Sequence, residues 1–250
     1  GTILNEEYDT DPLLWQKIDH LIKRGVRVSM VTARAFSFCE HLFCNFSKDS
    51  MHAFDNGNSI WKIGAKYPNF SRYINKRVVL KILLLLRNVD CRFGFSTGKV
   101  FWVNNNYFKE IKSYYRKGEF KLFNGNSLNA SVSSIWIKDL DEIFYKKLKM
   151  IIKKTNISIH EDRKLKKRSI FLHSNKSGKG KAVEYLRKIY GLKTKELLYI
   201  GDGIGDIEVA DFVGLLCGVG NSDKEFSKEA NYISSKKYSH GVIEIIDRMT

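Results

Sequence analysis

The chain has 250 residues, with 43 Lys+Arg against 27 Asp+Glu and a formal net charge of +16. Hydrophobic residues make up 43% and aromatics 13%, too apolar for a disordered chain, and two prolines without a Ser/Gly-rich tract exclude collagen-like, mucin-like and linker-rich architectures. The length suffices for one large domain or two modest ones, and the cation surplus fits either an anionic partner or a lysine-rich surface background.

In chain order, the spacing of Leu13, Leu14, Ile18, Leu21 and Ile22 predicts an amphipathic helix over 11–24, closed by Gly25. A short apolar strand is expected over 26–31, a helix over 36–46, and a strand over 51–54 running into the turn Asp55-Asn56-Gly57. A helix between two buried strands is the rhythm of a parallel sheet. Past Ile60 the texture changes. Helices are expected over 72–87, 107–117 and 140–154, and extended segments over 90–97, 99–104, 131–137, 157–160 and 169–173. From Gly178 the first rhythm returns, with a helix over 181–190, strands over 196–200 and 213–219, a short helix, and a last helix ending at Met249. The expected fold is therefore α/β: a Rossmann-like parallel-sheet core over 1–61 and 173–250, split by an inserted α+β domain over 62–172.

Cys39, Cys44, Cys91 and Cys217 form no CxxC pair and no zinc spacing, so they are expected reduced, in a cytoplasmic protein. The longest apolar run, 78–86, is broken by Lys81 and is far too short to span a bilayer, so no membrane partner is expected. The densest cationic stretch, Lys146 to Arg168, holds ten basic residues but alternates with apolar positions as a packed helix does. Aromatic and basic residues interleave over 107–123 in a pattern that a helix and a strand explain, and a nucleic-acid partner is not expected.

Ligands of open parallel sheets bind at the carboxyl ends of the strands, which directs attention to three loops. After Ile200 comes Gly201-Asp202-Gly203-Ile204-Gly205-Asp206, whose carboxylates suit a hard divalent cation or, equally, the cap of the following helix. After Val31 comes Thr32-Ala33-Arg34, an anion-binding corner or a plain helix cap. Ser177-Gly178-Lys179-Gly180-Lys181 opens a helix with a cation that either neutralises a phosphoryl oxygen or is simply solvated. It lacks the glycine and Ser/Thr of a Walker A loop.

Taken in order, these pieces resemble the haloacid dehalogenase (HAD) superfamily of phosphatases, in particular its Cof-type branch with a large αβ cap. Gly1-Thr2-Ile3-Leu4 is similar to the end of the first motif, D-x-D-G-T-[LI]-L. Thr32-Ala33-Arg34 resembles T-x-R, Asp55-Asn56-Gly57 the branch's N-G turn, and Lys179-Gly180-Lys181-Ala182 the K-G-x-A motif. Gly201–Asp206 matches G-D-x-x-N-D except at Gly205, and Gly220-Asn221-Ser222, Ala230–Ser234 and Gly241-Val242 follow in the family's order.

The resemblance implies a phosphatase for phosphomonoesters of small metabolites, sugar phosphates first, working through an aspartyl-phosphate with Mg2+. The family's nucleophilic and acid/base aspartates lie just before the G-T, so the sequence is expected to be a fragment that is inactive without them. Asp202 and Asp206 are the implied metal ligands, and Lys179, Asp202, Asp206 and Thr32 the implied catalytic set. Thr32, Ala33, Arg34, Asn56, Gly57, Lys179 and Asn221 are the implied phosphate and substrate contacts. The cap would read the leaving group. A non-catalytic phospho-ligand binder and a phosphomannomutase-like phosphotransferase are the alternatives.

Overall fold

Helix α1 (Pro12–Lys23) begins where the Asp11 carboxylate accepts the Leu13 amide at 2.7 Å, with proline in the first turn, where a missing N–H costs nothing. Leu14, Ile18 and Leu21 form its buried face, and Gly25 leaves it at φ +86°. The strand expected over 26–31 is not regular. Met30 donates its amide to the His52 imidazole instead of a carbonyl, at 3.0 Å, and only Val31 forms a bridge. Two 3₁₀ segments, Phe36–Phe38 and Glu40–Asn45, replace the helix expected over 36–46. Phe36, Ser37 and Phe38 are all buried, which an amphipathic α-helix with one solvent face does not allow.

Strand β1 (Met51–Phe54) forms a three-stranded sheet with β2 (Ser59–Lys62) and β3 (Phe70–Ser71). Helix α2 (Lys76–Leu86) follows, capped by Asn75, then the hairpin β4 (Arg92–Ser96) and β5 (Phe101–Val103). Next come α3 (Asn105–Tyr114), β6 (Phe120–Leu122), β7 (Ser134–Leu140), α4 (Glu142–Ile152), β8 (Ile157–Asp162) and β9 (Arg168–Ser174). These six strands form one sheet in the order β6-β5-β4-β7-β9-β8, antiparallel except for the β5–β6 pair. The period-2 alternation of β4, β7 and β9 sends Phe93, Phe95, Ile135, Ile137, Ile170 and Leu172 to one face. There they meet Val79, Ile82, Leu83 and Leu86 of α2, and Tyr145 and Leu148 of α4. Each such fully buried side chain contributes roughly 1.5–3 kcal/mol.

Helix α5 (Lys179–Ile189) leads to β10 (Leu198–Gly201), a 3₁₀ segment Ile204–Phe212, β11 (Leu215–Gly218), α6 (Lys224–Glu229), β12 (Tyr232–Ile233) and α7 (Tyr238–Met249). Strands β10, β11 and β12 are parallel and adjacent, as the α/β reading requires. Leu14 and Ile18 of α1 pack with Val242, Ile243 and Ile245 of α7 around Cys217 and Val219.

The structure describes residues 1–114, 119–125, 128–162 and 168–249. Residues 115–117 of the helix expected over 107–117, and 163–167 of the cationic stretch, lie outside them. By contacts the chain forms two units: Gly1–Val31, Leu42–His52 and Gly178–Thr250, and Thr32–His41 with Ala53–Ser177.

Candidate active site

In the unit of the parallel sheet, β10 ends at Gly201 and the chain turns through Asp202 and Gly203 into the 3₁₀ segment. The backbone folds back so that Asp202 and Gly203 donate their amides to Asp206 Oδ2, at 3.2 and 3.1 Å. Asp206 Oδ1 accepts the Lys179 ammonium at 2.6 Å and the Tyr199 phenol at 2.5 Å. Asp206 is 2% exposed. Burial alone would raise its pKa, but the Lys179 charge, with the lysine and phenol hydrogen bonds, holds the carboxyl below its ordinary value. Tyr199 moves the other way: burial and then the Asp206 charge push it well above the phenol range. Lys179 is set by the first turn of α5, whose Lys179 amide donates to the Glu208 carboxylate.

Asp202 lies at the strand end itself and accepts the Thr2 hydroxyl on Oδ1 at 2.6 Å. Lys179, Asp202 and Asp206 are therefore brought together, with Thr2, Tyr199 and Glu208 as partners that motif reading passed over. Tyr199 sits in a strand pattern, where an aromatic reads as core. Asn221 is drawn into the same unit but is occupied at both ends, donating to Gly1 O at 3.0 Å and accepting the Tyr238 amide at 2.9 Å.

The donor set suits a hard divalent cation, being oxygen-only and anionic. The two carboxylates are not equivalent for it. Asp206 already takes four hydrogen bonds, whereas Asp202 takes the Thr2 hydroxyl at the open strand end. Asp202 is therefore the more open of the two carboxylates, while Asp206 also orients Lys179 and the loop. Among the described residues no cluster of three or more His, Cys, Asp or Glu could hold a metal.

In the other unit, two loops are zipped together. Thr32 donates its amide to Ala53 O at 2.9 Å, Asn56 donates to Thr32 O at 3.1 Å, and Asp55 donates to Arg34 O at 2.9 Å. Thr32 Oγ1 accepts the Arg34 amide at 3.1 Å, an ST-turn that spans Ala33. Asp55, Asn56 and Gly57 all have positive φ, at 52°, 55° and 79°. Thr32, Ala33, Arg34, Asn56 and Gly57 thus share one loop pair. A feature without sequence signal accompanies them. Asp55 is fully buried, and its carboxylate accepts the hydroxyls of Ser96, Ser133 and Ser134 at 3.0, 2.9 and 2.8 Å. Burial pushes its pKa up to about 6 in spite of these donors.

Comparison with known proteins gives three kinds of match. The sequence profile of the haloacid dehalogenase-like hydrolases matches residues 1–246. Phosphoglycolate phosphatase 1 of Saccharolobus solfataricus is 26% identical over 237 residues, covering 92% of this chain and 82% of that protein. A solved haloacid dehalogenase-like hydrolase from Bacteroides thetaiotaomicron superposes with a TM-score of 0.84 at 18% identity, over 100% of this chain and 96% of that one. A HAD subclass IIB sugar phosphatase superposes with a TM-score of 0.78 at 13% identity, over 99% and 95%. At these identities the two superpositions speak for the fold.

Proposed function

We propose a function from one premise: the chain belongs to the haloacid dehalogenase-like hydrolase family. Within it, the chain is read as a Mg2+-dependent phosphatase for small phosphorylated metabolites. Sugar phosphates are the leading class, with phosphoglycolate, after the name of the S. solfataricus relative, beside them. The observation that carries the reading is the part-buried Lys179–Asp206 pair beside Asp202 at the carboxyl end of a parallel strand. A cation with undirected donors is thereby fixed where a phosphoryl group can meet it.

Phosphoryl transfer needs positioning and charge stabilisation more than covalent help from the protein. Lys179 spends one of its three N–H donors on Asp206 and presents the others to phosphoryl oxygens. Asp202, with Asp206 as a second ligand or as the group that orients a bound water, would hold the magnesium ion, which when bound offsets charge on the phosphoryl oxygens. Thr32 and the Ala33 amide would bind a phosphoryl oxygen, with Arg34 as a substrate contact or an ion-pair partner. Asn56, Gly57 and Asn221 would be further phosphate or substrate contacts. The division into core (1–61, 173–250) and cap (62–172) is part of the same proposal, the cap excluding water and reading the leaving group. So is a reducing, cytoplasmic location, supported by four free cysteines. Among the described residues no helix is long and apolar enough to cross a membrane.

The assay uses the protein as encoded. Phosphate release is measured over a panel of sugar phosphates and phosphoglycolate, with and without Mg2+. Turnover should need the metal and fall at least about a hundredfold in Asp202→Ala, the scale on which such electrostatic groups act. No release across the panel, or an Asp202→Ala enzyme as fast as the parent, removes the reading.

A further inference from the structure

The outer surface of α2 and α4 carries a feature that phosphate chemistry does not use. Both helices cover the same face of the six-stranded sheet and pack against each other, burying Val79, Ile82, Leu83 and Leu86 from one, and Tyr145, Leu148 and Ile152 from the other. What they turn outward is neither apolar nor polar alone. Leu80 and Leu84, one turn apart on α2, are 40% and 57% exposed; Ile143 and Met150, two turns apart on α4, are 68% and 77% exposed.

Exposed cations surround these four side chains. Lys76, Arg77, Lys81 and Arg87 lie along α2 and its end, and Lys146, Lys147, Lys149, Lys153 and Lys154 along α4 and its end. Between Lys76 and Arg87, and between Asp141 and Lys154, there are nine cations and two carboxylates, against 43 and 27 in the whole chain. Of the two carboxylates, Glu142 is paired with Arg168 at 2.7 Å and Asp141 caps α4 by accepting the Phe144 amide at 2.9 Å. Lys147 and Lys149 rest over the rings of Phe144 and Tyr145, at 4.8 and 4.6 Å, which seats their stems against the helix. Beside the end of α4, a groove of about 400 Å³ is lined by Lys149, Met150, Ile152, Lys153, Thr155 and Ile157.

We propose that this two-helix face docks the protein on an anionic lipid surface. Exposed aliphatic side chains set among lysines are the composition that lies in a headgroup layer, the apolar tips entering it and the ammonium groups meeting lipid phosphates. A second copy of the chain is disfavoured, because it would bring two faces of the same strong charge together. An acidic protein surface fits less well, since the centres of protein interfaces are depleted in lysine, and here lysines separate the apolar residues. Nucleic acid would want exposed rings to stack on, and Tyr145 is buried in the core. The docking is peripheral and independent of the phosphatase reading.

Vesicle co-sedimentation tests it, comparing neutral phosphatidylcholine vesicles with vesicles in which about one lipid in three is phosphatidylglycerol or phosphatidylserine. The protein should sediment with the anionic vesicles only and be released by high salt. The triple variant Lys146→Glu/Lys147→Glu/Lys153→Glu should lower the partition coefficient at least about tenfold. So should the variant Leu80→Ser/Leu84→Ser/Ile143→Ser/Met150→Ser. Lys224→Glu/Lys228→Glu/Lys237→Glu, three exposed lysines elsewhere, makes the same change in net charge and should bind as the parent does. Circular dichroism verifies that each variant is folded. Absence of binding to anionic vesicles, equal binding to neutral ones, or equal losses in the two triple variants overturns the proposal.

Discussion

Two buried aspartates show how partner chemistry sets a charge. Asp206 is 2% exposed and Asp55 0%, so both are desolvated. Asp206 faces an ammonium and titrates below its ordinary value; Asp55 faces only hydroxyls and is raised from 3.8 to about 6. Neutral donors stabilise a buried carboxylate less than a cation does. The consequence for stability has a definite sign. For Asp55 the folded state binds its proton more tightly than the unfolded state. Its contribution to stability is therefore complete below pH 3.8 and lost as pH rises through about 6. The shift corresponds to about 3 kcal/mol. Asp206 acts in the opposite direction, its contribution being present above the unfolded pKa and lost as pH falls through the folded one. In Asp55→Asn the first of these slopes should vanish. Urea unfolding of parent and variant across pH 4 to 7 should show the variant gaining about 2 kcal/mol on the parent. A difference that stays flat across that window removes the assignment.

At the scale of elements, glycines separate packing from motif. A Cβ at Gly180 would lie 2.4 Å from Glu208 O and 2.7 Å from the Phe212 ring, so the glycine of K-G-x-A is there to let α5 close on the 3₁₀ segment. At Gly205, where the family motif has Asn, a Cβ meets nothing within 4 Å. Gly180→Ala should therefore cost roughly 1–3 kcal/mol by overpacking. Gly205→Asn should leave stability unchanged or raise it by up to about 0.5 kcal/mol. Urea midpoints of the two variants decide both, and a neutral Gly180→Ala would mean that the helix can move away. The long amphipathic helices α1, α2, α4 and α7 were legible from apolar spacing, as were the hairpin of β4 and β5, the helix start carrying Lys179 and the strand end carrying Asp202. Segment 26–31 was not, because an imidazole 22 residues away takes the Met30 amide that a strand would use. Segment 36–46 was not, because Phe36, Ser37 and Phe38 are buried at three consecutive positions and two 3₁₀ turns take the place of the α-helix. The short strands β2, β3, β6 and β12 carry too few residues to show an alternation. In the site, the ordered motifs placed Lys179, Asp202 and Asp206 together. Tyr199 and the serine nest of Asp55 depend on contacts 7 to 79 residues apart that no local pattern encodes.

On the scale of the whole molecule, the net charge of +16 has two consequences that the same variants separate. A uniform surplus repels itself, which weakens the folded state at low ionic strength and is relieved as salt shortens the screening length to about 10 Å at 0.1 M. The melting midpoint of the parent should therefore rise with added NaCl before any specific ion effect enters. Three Lys→Glu changes lower the charge by six. Because self-repulsion scales with the square of the charge, the salt-dependent gain should fall to about 0.4 of the parent's. That holds wherever the three lysines lie, so Lys146→Glu/Lys147→Glu/Lys153→Glu and Lys224→Glu/Lys228→Glu/Lys237→Glu should melt with similarly weakened salt dependence. Vesicle binding depends on where the charges sit and should separate the two. Scanning calorimetry at low and high NaCl measures the first effect and sedimentation the second. If the α4 triple variant alone loses its salt dependence, the repulsion is local to that helix. The surplus is then a property of one surface rather than of the chain.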